Sequence, residues 1–339
     1  MKQLSLVLPI YNEEATLPIL RKRLTDVTDQ LREQRGLEVE TILVDDGSRD
    51  ASPLFLANWA AQDETVKVLT FSRNFGHQAA LTAGMDAACG DCLIMMDADL
   101  QDPPEVIPQL LDKHQEGYDV VYARRASRAG ESLLKRGTAW LFYRLMKGFV
   151  HRDLPQDTGD FRLLSGKALE TLTRMREKHR FLRGLSTWIG FRQTEVVYAR
   201  AARAGGQSKF SPLKMCRFAW DAAISFSTLP MKLVTIWGTC VSLFGLVYLI
   251  YTVYRYFVFR DTVPGWATLI VLLCVIGGSI LVGLGIIGSY IGKMFEELKE
   301  RPLYIVQSTT NCNDGVSIGH QRRGERVDIP RYVGVDHQA

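Results

Sequence analysis

Through the first 125 residues, short apolar runs alternate with amphipathic stretches. Residues 4–10, 39–44, 66–71, 92–96 and 120–122 are brief, rich in Val, Leu and Ile, and bounded by polar or turn-forming residues, which is the pattern of buried strands. The stretches between them, 13–34, 51–61, 78–88 and 104–116, repeat their apolar residues at helical spacing. This alternation predicts an α/β fold with a mainly parallel sheet covered by helices on both faces. Ligands of such sheets bind beyond the carboxyl ends of the strands. The polar clusters of this chain fall at those ends.

After Tyr122 the pattern changes. Residues 133–149 place Trp140, Tyr143, Phe149 and several Leu among Lys135, Arg136, Arg144 and Lys147. A basic amphipathic helix with aromatics suits a membrane interface, and it also suits a helix packed on its own domain. Residues 215–226 are a second candidate of the same kind. Residues 233–254 and 262–292 contain no charged side chain, and each run is long enough to cross a hydrocarbon core of about 30 Å as a helix. The expected organisation is a catalytic domain over 1–231, with interfacial helices near 131–150 and 212–231. Two transmembrane helices within 232–292 follow, near 233–257 and 266–290, and then a segment over 293–339. The polar stretch from Ser308 onward is expected to be disordered.

Composition adds less. The hydrophobic share of 47% is concentrated in the two uncharged runs, and a net charge of +4 is too small to argue for nucleic acid. The first residues run from a short apolar stretch into Tyr11-Asn12-Glu13-Glu14 without a cleavage site, which is not a signal peptide. Lys214, Arg217 and Lys232 precede the first span, and Lys293, Lys299 and Arg301 follow the second. The positive-inside rule then favours both flanks, and the catalytic domain, on the cytoplasmic side of the inner membrane. Cys89 and Cys92 have metal-half-site spacing, but no second pair completes such a site, and a structural role is expected.

Candidate chemistry sits at the strand exits. Asp97-Ala98-Asp99 follows the fourth strand, and two carboxylates there suit a hard divalent cation with positions left for phosphate oxygens. A bare Asp-x-Asp is also found at solvated strand ends; the surrounding Met95-Met96-Asp97-Ala98-Asp99-Leu100-Gln101-Asp102-Pro103-Pro104 is far less common. At the first exit, Pro9-Ile10-Tyr11-Asn12-Glu13 offers a ring for a base and polar groups for its edge, or simply starts a helix. Asp45-Asp46-Gly47-Ser48 at the second exit offers acceptors for base or ribose, or a capped turn. Arg73-Asn74-Phe75-Gly76-His77-Gln78 either helps hold a sugar or is an ordinary strand-to-helix turn, with His77 read as a structural histidine.

Together these motifs resemble family-two glycosyltransferases of GT-A fold, and within them the polyprenyl-phosphate group of dolichyl-phosphate mannose synthases and bactoprenyl-phosphate glucosyltransferases. The resemblance spans residues 3–307 and is most distinctive at Asp97–Pro103, at Asp157-Thr158-Gly159-Asp160-Phe161-Arg162-Leu163-Leu164 and at Gly206-Gln207-Ser208-Lys209-Phe210. It implies a nucleotide-sugar site of Pro9, Tyr11, Asn12, Glu13, Asp45, Asp46, Asp97, Ala98 and Gln101. Asp97 and Asp99 would bind Mg²⁺ or Mn²⁺ and the donor diphosphate. Arg124, Arg162, Arg203, Ser208 and Lys209 would meet the phosphate of a polyisoprenyl lipid acceptor. Dolichyl members often carry Glu where Gln207 stands. Asp157 and Asp99 are the catalytic candidates, Asp157 as base or as orienting group, with Asp160 its competitor. The implied reaction is an inverting transfer, best matched by UDP-glucose, with GDP-mannose and UDP-GlcNAc as alternatives, in a homo-oligomer. A processive polysaccharide synthase would want more spans and a Gln-x-x-Arg-Trp segment, which Arg183-Gly184-Leu185-Ser186-Thr187-Trp188 does not match. A non-catalytic nucleotide-sensing tether would tolerate degraded carboxylates, and here they are intact.

Overall fold

A computed structural model of the chain describes residues 2–125, 158–198, 228–259 and 265–312. The segments expected at the membrane interface, 133–149 and 215–226, lie outside the described residues, as does everything beyond 312. Two compact units divide the chain, one holding the sheet and residues from Arg301 onward, the other holding the long apolar helices.

The first unit is built on eight strands: β1 (Gln3–Ile10), β2 (Glu38–Asp45), β3 (Val66–Phe71), β4 (Cys92–Met95), β5 (Val120–Arg125), β6 (Thr158–Ser165), β7 (Gln193–Tyr198) and β8 (Val306–Thr310), in the order β7-β5-β6-β4-β1-β2-β3-β8. Its helices are α1 (Leu17–Arg35), α2 (Ser52–Gln62), α3 (His77–Ala87), α4 (Ile107–Gln115), α5 (Gly166–Arg174) and α6 (Leu182–Trp188). β1 pairs in parallel with β2 and β4, β2 with β3, and β5 with β7. The five expected strands and their parallel order are present. β6 is antiparallel to both β4 and β5, and β8 is antiparallel to β3.

Side-chain alternation splits the core into two layers. Leu4, Leu6, Leu8 and Ile10 of β1 face Leu17, Leu20, Leu24, Val27 and Leu31 of α1, whose spacing makes one helical stripe, together with Leu110 and Leu111 of α4. Val7, Ile42 and Val44 face the other way, onto Ala80, Leu81 and Met85 of α3 and Leu169 and Leu172 of α5. Helix α3 lies close on the sheet because Gly84 has no side chain: a Cβ there would come 2.1 Å from Val7 Cγ1.

Strand β8 corrects the expectation of disorder from Ser308 onward, since Ser308, Thr309 and Thr310 pair with Thr70, Leu69 and Val68. Its polar residues are exposed, as befits a sheet edge that needs backbone pairing more than an apolar face. The approach to β8 is anchored by Tyr304, whose ring stacks on Phe71 at 5.2 Å and whose hydroxyl donates to Asp86 Oδ2 at 2.7 Å. The Asn311 amide closes the far end by donating to the carbonyls of Ala60 and Val66 at 2.7 and 2.9 Å.

The second unit holds α7 (Leu229–Phe259) and α8 (Trp266–Leu298). By length and composition both are able to cross a membrane, over Leu229–Val258 and Thr268–Leu298, and almost none of their apolar surface is covered. They run longer than the expected spans. Trp237 Nε1 donates to Ser279 Oγ at 2.9 Å and ties one helix to the other. Gly283 permits a close approach, since a Cβ there would meet Val234 at 3.2 Å.

Gly84→Val is expected to overpack the α3–β1 contact and destabilise the sheet unit by about 1–3 kcal/mol, measured as a lower unfolding midpoint of the solubilised protein by tryptophan fluorescence.

Candidate active site

All the expected strand exits meet at one edge of the sheet. Parallel β1, β2, β3 and β4 end there, and antiparallel β6 begins there, so the exits of four early strands face the entrance of a late one. The loops are stitched to each other. At the first exit Asn12 adopts a left-handed backbone with φ 55°, its N–H donates to Ser48 Oγ at 3.0 Å, and its Oδ1 accepts from Arg49 N at 2.8 Å. Glu13 N donates to Ser52 Oγ at 3.0 Å, while its carboxylate accepts from the Thr16 hydroxyl at 2.8 Å. Tyr11 stays 44% exposed above this seam.

At the second exit Asp45 is buried, and its Oδ1 accepts from Ser48 N at 3.0 Å. Its other oxygen, Oδ2, is buried without a hydrogen bond. Asp46 accepts from the backbone N–H groups of Phe75 and Gly76 at 2.6 and 2.9 Å, which fixes the loop after β3. Burial pushes the Asp46 carboxyl above its ordinary value despite those donors. Gly47, at φ 69°, has the Arg73 carbonyl carbon 2.6 Å from where a Cβ would sit, so only glycine lets the two loops touch.

The fourth exit carries the central pair. β4 stops at Met95, and Leu100 turns the chain with a left-handed φ of 59°, uncommon for a leucine. Asp97 and Asp99 therefore leave the alternation of the strand. Asp97 Oδ1 is buried with no hydrogen bond, whereas Asp99 Oδ1 accepts from Gln101 N at 3.1 Å. Burial, with Asp102, Asp160 and Asp99 nearby, pushes the Asp97 carboxyl up to about 6 even though His77 pulls the other way. Asp102 is fully buried and accepts from the Tyr198 hydroxyl and, at 3.4 Å, from Arg125 Nη2.

Strand β6 contributes Asp160. His77 Nε2 lies 3.1 Å from Asp160 Oδ2 and 3.4 Å from Asp97 Oδ1, so the histidine bridges the two carboxylates. Arg183 of α6 donates from Nε to Asp160 Oδ1 at 3.0 Å. Burial alone would raise the Asp160 carboxyl, but the His77 bond and the charges of Arg183 and Arg162 hold it well below the usual range. The same carboxylates raise His77 against the effect of its own burial.

Asp97 and Asp99 fit a hard divalent cation: both ligands are oxygen, they share one strand exit, and Asp97 Oδ1 is a buried acceptor without a hydrogen bond. Among the described residues no cluster of three or more His, Cys, Asp or Glu is arranged to hold a metal.

The model of glycosyl transferase family 2 matches residues 5–173. A protein of Bacillus subtilis described as the uncharacterized glycosyltransferase YkcC is 44% identical over 307 residues, covering 91% of this chain and 94% of its own. The chain belongs to glycosyltransferase family 2. Two further members of the family align nearly end to end. The prophage bactoprenol glucosyl transferase homolog of Escherichia coli is 38% identical over 90% of this chain and 98% of its own length. The bactoprenol glucosyl transferase of Shigella phage SfII is 38% identical over 92% and 99%. The family-2 transferase described here thus has the mainly parallel GT-A sheet that the resemblance implied.

Of the residues singled out from sequence, Pro9 and Asp45 stand at the carboxyl ends of β1 and β2, and Tyr11, Asn12, Glu13, Asp46, Asp97, Ala98, Asp99 and Gln101 lie on the loops that follow the strands at this edge. Asn12 and Glu13 hold loop to loop. Arg124 pairs with Glu195 at 2.9 Å. Arg162 is 0% exposed: its guanidinium donates to Gly159 O at 2.9 Å and to Ser186 Oγ, and lies over the Tyr122 ring. That burial sets it beneath the site instead of among phosphate contacts. Asp157, Arg203, Ser208 and Lys209 lie outside the described residues. His77 stands within the singled-out stretch Arg73–Gln78, where it was read as structural, and its bridging place between two carboxylates is visible only in the fold. Arg183 and Tyr198 carried no local signal, because tertiary pairing alone brings them here.

Asp160→Asn would leave the enclosed Arg162 without its counter-charge, 3.7 Å away. The expected cost is about 3 kcal/mol of stability. Asp99→Asn, at a partly exposed loop position, is expected to cost less than about 0.5 kcal/mol. Thermal unfolding followed by circular dichroism checks both.

Proposed function

We propose that this transferase moves a hexose from a nucleotide diphosphate sugar onto a polyisoprenyl phosphate, with inversion at the anomeric carbon. The donor is UDP-glucose and the acceptor undecaprenyl phosphate. The reading is carried by the carboxylate pair Asp97 and Asp99, with the buried and unbonded Asp97 Oδ1. The acceptor is supported by the names of the end-to-end relatives in Escherichia coli and Shigella phage SfII.

Asp97 and Asp99 would hold Mg²⁺ or Mn²⁺, and the bound cation supplies charge neutralisation for a departing diphosphate. The chain's own groups do the rest. The exposed Tyr11 ring offers a face to the base, and the unbonded Asp45 Oδ2 accepts from a base or ribose donor. Asp46 keeps the loop after β3 in place through its two backbone donors. A phosphomonoester with a second pKa of about 6 is largely dianionic at neutral pH. It needs orientation and counter-charge more than a strong base, and Asp157 takes the orienting place. Arg124, Arg203, Ser208 and Lys209 meet the acceptor phosphate.

A polyisoprenyl chain stays in the bilayer, so its enzyme must work at the membrane surface. In this reading helices α7 and α8 are the anchor of a multi-pass inner-membrane protein with its catalytic domain in the cytoplasm, supported by their length and apolar composition, and the family resemblance supports a homo-oligomer.

The test is to incubate the purified full-length protein with undecaprenyl phosphate and labelled UDP-glucose, GDP-mannose or UDP-GlcNAc. Label is expected in the lipid from UDP-glucose, lost with chelator and restored by Mn²⁺. Asp97→Asn and Asp99→Asn should each lower the rate by at least about a hundredfold. Undiminished lipid labelling in the presence of chelator would overturn the metal assignment, and labelling from no donor would overturn the reaction.

A further inference from the structure

The cations expected at the phosphates differ in their surroundings. Arg162 is enclosed, and Arg124 is engaged by Glu195 at 2.9 Å. Arg183 stands otherwise. Its Nε and Nη2 donate to Asp160 at 3.0 and 3.3 Å, which fixes one edge of the guanidinium, while Nη1 makes no hydrogen bond among the described residues. The side chain is 37% exposed although the carboxylate holding it is only 7% exposed. Asp160 already has a second cation, since Arg162 Nη2 lies 3.7 Å from its Oδ1. The charge of Arg183 is therefore not consumed by the carboxylate that orients it.

Position adds to the argument. The other Asp160 oxygen touches His77, and His77 touches Asp97, so Arg183 is tied to the central carboxylate through two contacts of 3.1 and 3.4 Å. A guanidinium with one edge locked and one edge open is pre-organised for a phosphate oxygen, because little rotamer freedom remains to be lost on binding. Arg matches phosphate geometry in a way that Lys, a point charge, does not.

We infer that Arg183 binds a substrate phosphate oxygen beside Asp97, and that Asp160 is the positioning residue that aims it. The inference rests on the transferase reading, which brings two sources of that oxygen: the diphosphate of the donor and the monophosphate of the lipid.

The experiment measures equilibrium binding of UDP with Mn²⁺, and separately of undecaprenyl phosphate, to full-length Arg183→Gln, Arg183→Lys, Asp160→Asn and the parent. Arg183→Gln is expected to weaken one ligand by at least about tenfold at the parent's unfolding midpoint, with Arg183→Lys intermediate. Asp160→Asn should weaken the same ligand. Loss confined to UDP names the donor diphosphate, and loss confined to the lipid names the acceptor. Both dissociation constants within about twofold of the parent in Arg183→Gln would overturn the inference, whatever Asp160→Asn does to stability. Failure of the parent to label any lipid would instead overturn the transferase reading, and the binding comparison would still decide on Arg183.

Discussion

Crowded negative charge at one sheet edge is the constraint on which this site depends. Asp97, Asp99, Asp102 and Asp160 converge there, and carboxylates at such spacing raise one another's cost of ionisation. The protein gives two of them counter-groups of their own. Asp102 is met by Tyr198 and Arg125, and Asp160 by His77, Arg162 and Arg183. Asp97 is left with a buried oxygen and only the flank of His77. Asp102 Oδ2 is likewise buried without a hydrogen bond, and of the two it is Asp97 that the proposed cation would meet.

The antiparallel strand makes this arrangement possible. Had β6 run with its neighbours, Asp160 would lie at the opposite edge of the sheet, away from Asp97. By running against β4 and β5 it brings its first residues to the exits of the parallel strands and threads Arg162 beneath them as an internal counter-charge. The loops are then locked by contacts that need particular residues. Gly47 lets the second loop touch the third, Asp46 pins that contact with two backbone donors, and Asn12 crosses to Ser48 and Arg49. A site held this way has little reorganisation left to do when substrate arrives.

How much of this was legible follows from where the information lies. Strands β1 to β5 and helices α1 to α4 announce themselves because each buries an apolar run of its own. β6 does not, since Thr158-Gly159-Asp160-Phe161-Arg162 mixes a carboxylate and a guanidinium into a buried strand, and their pairing exists only in three dimensions. β7 opens on Gln193, Thr194 and Glu195, and β8 is almost wholly polar, a sheet edge defined by backbone pairing with β3. At the site, the Asp-x-Asp pair and the first two exits could be read from local motifs. His77, Arg183 and Tyr198 could not, because each acquires its place by touching a carboxylate on a distant element. The same limit explains Arg162, whose position in a distinctive motif said that it matters and not that it is enclosed.

The two apolar helices and the carboxylate-lined sheet edge bear on the proposed reaction only if the aspartate pair carries a cation that also touches the donor phosphates. Electron–nuclear double resonance on the Mn²⁺ that stays with the full-length protein and UDP after gel filtration, which removes the free Mn²⁺–UDP complex, reads that contact as phosphorus hyperfine coupling. The account predicts coupling in the parent and its loss when Asp97 and Asp99 are both replaced by Asn. Equal phosphorus coupling in the folded double variant would contradict it.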